Sequence, residues 1–549
     1  MKRAVILAAV LTAAASLGAQ NRTVTSDRIL KAAAEPQNWL TYSGNYNGQR
    51  YSTLDQIAPG NVKNLDLQWV FQVRQLGAAD KFEASPIVVD GVMYTVEPPN
   101  NVIALDAVSG RVFWRYDYAN AQAARVCCGR VNRGLAILGD RLFMGTIDGH
   151  VIALNAKTGA VEWNKAIDRP EAGYSITVAP LVVKDKIIVG PAGGEYGIRG
   201  YLLALDPQDG HEIWRLYTIP EPGQPGSETW AGPSWQKGGG PIWVTGTYDP
   251  ELNSMYWGVG NPGPDWNGDG RPGDNLYTDS VLAIDPDTGK MKWHYQYTPH
   301  DEFDFDATQV PVLADIQLNG QPRKVLMQAN RNGVFYVIDR TNGQFILAKP
   351  FTKVTWVNGW DAKGRPNRIQ SPTPEGTLVY PNNQGATNWY SPSFSPRTGL
   401  FYIPTWVDTF STYRKTPGAE SVRFNEGQMY TGTFPTMALP PMVAGATNNR
   451  RPQDGTGAIT AVDPKTGDKK WAFALPDVTD SGILTTSTDL LFAGGREGYF
   501  FALDARNGTL LWKSMTGGQV ASGPMTYAVN GKQYVAVSAG NATFVYALR

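Results

Sequence analysis

Six copies of one short pattern constrain this chain more than any other feature. Each runs from a small residue and a Leu, Ile or Val, through an Asx turn, to Gly-x-x-x-Trp, and the copies end at Trp114, Trp163, Trp214, Trp293, Trp471 and Trp512. A seventh, VIDRTNGQFIL, carries Leu347 where the Trp belongs. Successive copies lie 49, 51, 79, 54, 124 and 41 residues apart. The 124-residue interval has room for one degenerate unit, expected around Gly399 in SPRTGLFYI, which brings the count to eight. Strand-rich repeats of this length, punctuated by turns, are propeller blades. The Asp or Asn bonds its own backbone and the Gly supplies the positive φ that joins two antiparallel strands. The Trp then packs between blades, none of which buries its face alone. The expected fold is an all-β, eight-bladed β-propeller with Trp-docking motifs. A β-sandwich or a series of small β domains would not repeat in one phase.

The chain of 549 residues exceeds the usual single-domain size, yet no charge run, Ser-rich linker or low-complexity stretch divides it. Lys plus Arg equals Asp plus Glu at 49 each, so bulk charge points to no nucleic-acid or anionic-membrane partner. Lys2 and Arg3, the apolar run Ala4 to Leu17 and the small residues Gly18 and Ala19 read as an export signal over 1–19, with the propeller over 20–549. That run is too short for a membrane span, although a retained N-terminal anchor is the other reading. Export implies a soluble periplasmic protein, and the sequence leaves a homodimer open.

Only two cysteines exist, Cys127 and Cys128, and they are adjacent. In an exported protein an even count suggests a disulfide, the other reading being two buried thiols. A bond between neighbours removes little chain entropy, so it should serve something other than stability. Four scattered histidines give no zinc spacing. GVGNPG at 258–263 matches a dinucleotide fingerprint, but Pro262 precludes the helix that should follow. DWNGDG at 265–270 opens like a calcium loop, yet Leu276 stands where the bidentate Glu belongs, leaving an Asx-rich turn. No HExxH or GxSxG occurs.

Across nearly all of 20–549 the chain resembles the soluble pyrroloquinoline quinone (PQQ) dependent alcohol dehydrogenases, which include the bacterial methanol and ethanol dehydrogenases. The resemblance is carried by FEASPIVVDGVMY at 82–94, CCGRVNRG at 127–134, SITVAPLVV at 175–183, GPAGGEYG at 190–197, Trp243 through YDPELNSMYWGVGNPGP, TPHDEFDFD at 298–306 and RNGVFYVIDR at 331–340. It implies PQQ held between a Cys127–Cys128 disulfide and Trp243, a rigid pair of sulfurs on one face and an extended π surface on the other. Arg133 would pair with a PQQ carboxylate, and Thr177 and the backbone at Gly193 and Gly194 would add donors. Glu83 and Asn388 match cofactor-lining positions. Trp243 as core packing is the bland alternative.

The resemblance also implies a metal site from Glu195, Asn261 and Asp304, all oxygen donors suited to a hard cation. Asp306 stands two residues after Asp304, so in an extended segment both carboxylates face one ion. Calcium-dependent relatives usually carry a small or uncharged residue there and lanthanide-dependent ones an Asp. A trivalent ion gains more from the added charge, so a lanthanide is expected, with calcium as the alternative if Asp306 only caps a turn. The implied reaction oxidises a primary alcohol to its aldehyde by metal-assisted hydride transfer to PQQ, with Asp304 as base and Arg331 binding the developing oxyanion as well as lining the cofactor. No Cys-x-x-Cys-His haem motif occurs, which points to a separate c-type cytochrome as electron acceptor. Thr479 and Asp480 replace the family's Trp-Gly-Gly or Trp-Ala-Gly element, and a late Trp of some methanol dehydrogenases is missing from AGNATFVYALR. Both changes should reshape and widen the pocket roof, favouring alcohols larger than methanol. A non-enzymatic envelope scaffold, or a PQQ-dependent sugar or polyol dehydrogenase, is the rival reading.

Overall fold

The Trp of each repeat sits directly across from its small residue. Trp114 pairs with Ala104, Trp163 with Ala153, Trp214 with Ala204, Trp293 with Ala283, Trp471 with Ala461 and Trp512 with Ala502, in each case beside a register shift at the turn. The small partner leaves room for the indole to lean away from its own blade. In the turn itself, Asp106 Oδ1 accepts from the backbone of Val108 and Ser109, and Gly110 donates back to the Asp106 carbonyl at 2.8 Å. Asp285 builds the same turn around Gly289.

The computed structural model describes residues 23–74, 76–77, 80–119, 124–416, 423–432, 436–437 and 455–549. The expected export signal lies outside them. Eight sheets of four antiparallel strands form the eight blades, one of them widened by Tyr51–Ser52, which pairs in parallel with Leu484–Thr486. Burial falls across each blade. In the third, Leu181–Val183, Lys186–Val189 and Tyr201–Leu205 are wholly buried, whereas Glu212–Tyr217 is exposed or half-buried along its length. The first strand of a blade therefore faces the axis and the fourth faces solvent. Among the described residues no helix is long and apolar enough to cross a membrane.

Blades dock through their indoles. A Cβ added to Gly110, Gly159, Gly210, Gly289, Gly343 or Gly508 would fall 2.5 to 2.8 Å from the ring of Trp69, Trp114, Trp163, Trp214, Trp293 or Trp471 in the preceding blade. These glycines combine positive φ with the absence of a side chain, which only Gly provides without strain. The indole N–H is satisfied as well, Trp114 Nε1 donating to the Ala156 carbonyl at 3.0 Å and Trp163 Nε1 to that of Pro207 at 3.1 Å. At the turn facing Leu347, a Cβ on Gly467 would meet Lys349 Cβ at 2.7 Å and Leu347 Cδ2 only at 3.3 Å, so the leucine fills this position more loosely than an indole.

The count of eight holds, but the eighth unit is not at Gly399. That glycine joins Ser393–Ser395 to Leu400–Val407, the first two strands of the blade that already contains Trp471. The long interval is filled by two small sheets, one of Val357–Trp360 with Pro366–Arg368 and one built on Thr377–Val379 and Ser411–Tyr413. The missing blade is split between the chain ends: Leu65–Gln72 forms the outer strand beside Ala542–Leu548, Lys532–Ala539 and Met525–Val529. Its docking residue, Trp69, donates to the Ala107 carbonyl at 3.3 Å and closes the ring on Gly110.

Candidate active site

Loops entering the axial strands of successive blades converge on one cavity of about 350 Å³. The segments before six first strands contribute Lys81 and Glu83, then Arg125 to Arg133, Ser175 and Thr177, Pro241 and Trp243, Asp304 and Asp306, and Gln384, Asn388 and Trp389. Two loops between second and third strands add Gly193, Glu195 and Arg331. Twelve of the fourteen residues expected from sequence line this cavity. Gly194 and Asn261 do not; they stand behind it, where a Cβ on Gly194 would come 2.9 Å from Asn261 Oδ1.

Cys127 and Cys128 are disulfide-bonded and form part of the cavity wall. Cys128 Sγ lies 3.8 Å from Glu195 Oε1. Arg133 is held at three points. Its guanidinium pairs with Glu83 at 2.8 Å, donates to Thr177 Oγ1 at 2.9 Å and stands 4.8 Å from the Trp243 ring centroid. Burial pushes the Glu83 carboxyl up, and Arg133 and Lys81 oppose that rise. Asn388 donates to the Gln384 carbonyl at 2.9 Å, while its buried Oδ1 has no partner in the protein.

The acidic grouping is organised around Arg331. The guanidinium is 2.8 Å from Asp304 Oδ2, pairs closely with Asp306 Oδ2, and donates to the Asn383 carbonyl at 3.0 Å. Asp304 and Asp306 do face the same way, but not through extended backbone. Asp304 lies in the left-handed region at φ +63°, in a turn built by Asp301, which accepts from Phe303 N at 3.0 Å and Phe305 N at 2.8 Å. Asp306 Oδ1 accepts from Asn261 N at 2.8 Å, tying the two segments together. Burial pushes the Glu195 carboxyl up to about 7, with Asp306 adding to the rise. Burial likewise raises Asp304 and Asp306, against the pull of Arg331.

Asp304 Oδ1 is buried without a partner. Such groups are costly unless a cation or donor meets them. Three carboxylates face one guanidinium here, so a hard multivalent cation fits this donor set, with the Asn261 amide oxygen beside it. The cavity also suits a flat polyanionic ring: it has a disulfide and two indoles for faces, and Arg133, Thr177 and the Asn388 amide for an edge. Sequence reasoning missed Trp389, Lys81 and Gln519, which also line the wall. It also missed Asp265, which is wholly buried with both carboxylate oxygens unpartnered and is raised by burial and by Glu195 and Asp306. Asp265 opens the DWNGDG segment, whose calcium-like spacing gives no hint of a residue buried beside the cavity.

The model of the PQQ glucose/ethanol/alcohol dehydrogenase β-propeller domain matches residues 39–355 and 362–535. The chain is 42% identical over 532 residues to a quinohemoprotein alcohol dehydrogenase, ADH IIB, of Pseudomonas putida, covering 91% of this chain and 73% of the relative. It is 37% identical to the quinoprotein alcohol dehydrogenase PedH of Pseudomonas putida, covering 97% of this chain and 91% of the relative. Among solved structures, a europium-containing methanol dehydrogenase superposes with a TM-score of 0.87 at 32% identity, covering 95% of this chain and all of that one.

Proposed function

The chain belongs to the PQQ-dependent quinoprotein alcohol dehydrogenases, and from that membership we propose that it is a periplasmic enzyme oxidising primary alcohols larger than methanol with a lanthanide ion. The observation that carries the reading is the bonded Cys127–Cys128 pair in a cavity shared with Trp243 and the carboxylates of Glu195, Asp304 and Asp306. PQQ supplies a two-electron acceptor and the metal ion supplies Lewis acidity. In this reading Cys127, Cys128 and Trp243 bind the quinone's faces, and Glu83, Arg133, Thr177, Gly193 and Asn388 serve its edge. Glu195, Asn261, Asp304 and Asp306 hold the metal. Gly194 contributes by keeping Asn261 close.

Asp304 Oδ1 accepts the hydroxyl proton of the alcohol, having no other partner in the protein. Arg331 holds Asp304 from the other oxygen and offers positive charge to the oxygen losing its proton. Burial of both groups excludes competing water. A third carboxylate, Asp306, favours a trivalent over a divalent ion, and the europium-containing relative supports the same choice. Cleavage of an export signal near Gln20 delivers the protein to the periplasm, where a separate c-type cytochrome takes the electrons one at a time.

Reconstitution tests this directly. Protein given PQQ and lanthanum should reduce an artificial dye with ethanol and butanol faster than with methanol, and far faster than with PQQ and calcium. Equal activity with calcium would overturn the metal assignment, and a preference for methanol would overturn the substrate assignment.

A further inference from the structure

Asp265 is a wholly buried group that the proposed reaction leaves unused. Its side chain has no exposure, and neither carboxylate oxygen has a hydrogen-bond partner among the described residues. A buried carboxylate persists where a proton, a donor or a cation meets it.

The segment bearing Asp265 is tied to every loop that carries a carboxylate of the metal site. Four residues earlier, Asn261 N donates to Asp306 Oδ1 at 2.8 Å. Arg271 draws the chain onto the turn that aims Asp304, its guanidinium donating to the Pro264 carbonyl at 2.9 Å and to the Asp301 carbonyl at 2.5 Å. Glu195 is reached through two consecutive residues: Tyr430 N donates to the Glu195 carbonyl at 2.6 Å, and Trp266 N to the Thr431 carbonyl at 3.0 Å. Asp265 does not line the cavity; like Asn261 it stands behind it, where the loops bearing Glu195, Asp304 and Asp306 meet.

The charges it senses give the direction of the side chain. Burial raises Asp265 most, and Glu195 and Asp306 follow, outweighing the opposite pull of Arg271 even though that guanidinium reaches the carbonyl of Asp265 itself. The carboxylate is thus turned from Arg271 toward the acidic grouping. Asp279 is the internal comparison. It too is wholly buried with both oxygens unpartnered among the described residues, but after burial the charge that moves it most is that of Asp301, outside the metal-binding residues. Carboxylates gathered at one point repel one another unless a cation lies among them, and each added charge favours a trivalent ion over a divalent one.

We propose that Asp265 is a fifth protein group of the metal site, supplying the ion with a fourth carboxylate beside those of Glu195, Asp304 and Asp306. This deepens the metal assignment made above and rests on it.

The test is calorimetric titration of lanthanum, and separately of calcium, into PQQ-loaded protein stripped of metal. Asp265→Asn should weaken calcium binding about tenfold and lanthanum binding about thirtyfold, because the energy of a lost carboxylate scales with the charge of the ion. Asp279→Asn should cost either ion less than about threefold. The rise in melting temperature on adding lanthanum should shrink in Asp265→Asn and persist in Asp279→Asn. Wild-type lanthanum affinity in Asp265→Asn would overturn the assignment, as would equal losses in the two variants or a calcium loss as large as that for lanthanum. Should Asp265→Asn not fold, Asp265→Ser takes its place with the same expected losses. A wild-type protein that takes up PQQ but no lanthanum would instead overturn the lanthanide assignment of the proposed function, so the two failures are distinguishable.

Discussion

Replacing Gly159 with alanine should destabilise the propeller far more than the same change at Gly399, and the difference measures how strongly adjacent blades hold each other. Both glycines have left-handed backbone, with φ of +73° and +70°. Each substitution therefore costs about 1–2 kcal/mol in backbone strain. They differ in what the new methyl meets. At Gly399 nothing lies within 4 Å, whereas at Gly159 the Cβ falls 2.5 Å from Trp114 Cε3 and 2.9 Å from Cδ2. Overpacking of that kind costs a further ~1–3 kcal/mol. If the indole moves aside, it loses the hydrogen bond from Nε1 to the Ala156 carbonyl, worth about 1 kcal/mol. Gly159→Ala should therefore lose about 2–5 kcal/mol against about 1–2 for Gly399→Ala. Urea unfolding monitored by tryptophan fluorescence reads the difference as a shift in midpoint at constant slope. Equal shifts in the two variants would refute the docking argument, because they would show that the indole contact adds nothing to the strain.

Changing Cys127 and Cys128 together to alanine should leave the melting temperature nearly unchanged, since the bond closes almost no loop, yet weaken PQQ binding measured by fluorescence quenching. Asp306→Ala should lower lanthanum-supported alcohol oxidation at least about tenfold in steady-state assays, with no comparable loss of folding cooperativity. Burial disfavours the charged Asp480 carboxyl, but Arg496 and Lys81 outweigh it and hold the group below its ordinary value. Its stabilising effect is therefore complete above the unfolded value of about 3.9 and fades as pH falls through the lower folded value. Melting curves should accordingly show Asp480→Asn less stable than wild type at pH 7, with the gap closing in strong acid; a gap that widens in acid would contradict the pairing.

Seven of the eight docking positions were legible because the Asx turn, the glycine and the Trp, or Leu347 in its place, sit in one short run of sequence. The eighth was not, since the chain ends divide that blade. Trp69 precedes its sheet partners by more than 400 residues and follows no Asx-Gly turn, so only LDLQWVF, an alternating strand with one large aromatic, marked it. The turn at Gly399 resembled a repeat because it is built in a similar way, with Gly399 N donating to the Ser395 carbonyl and Thr398 N to Ser395 Oγ. The cavity wall was legible where resemblance named residues one by one. The pairing of Asp304 and Asp306 was foreseen, but the period-two argument gave the wrong backbone: a turn nucleated by Asp301 aims the two carboxylates together. Lys81, Trp389 and Asp480 come from three segments that approach one another only when the ring closes, and nothing local in sequence couples them.

The most direct measurement is a crystal structure of the protein loaded with PQQ and lanthanum, with anomalous data collected to locate the metal. The account predicts the quinone against Cys127–Cys128 with Trp243 on its opposite face, and the lanthanum peak among Glu195, Asn261, Asp304 and Asp306. A quinone bound away from the paired sulfurs, or a metal peak outside those four residues, would contradict it.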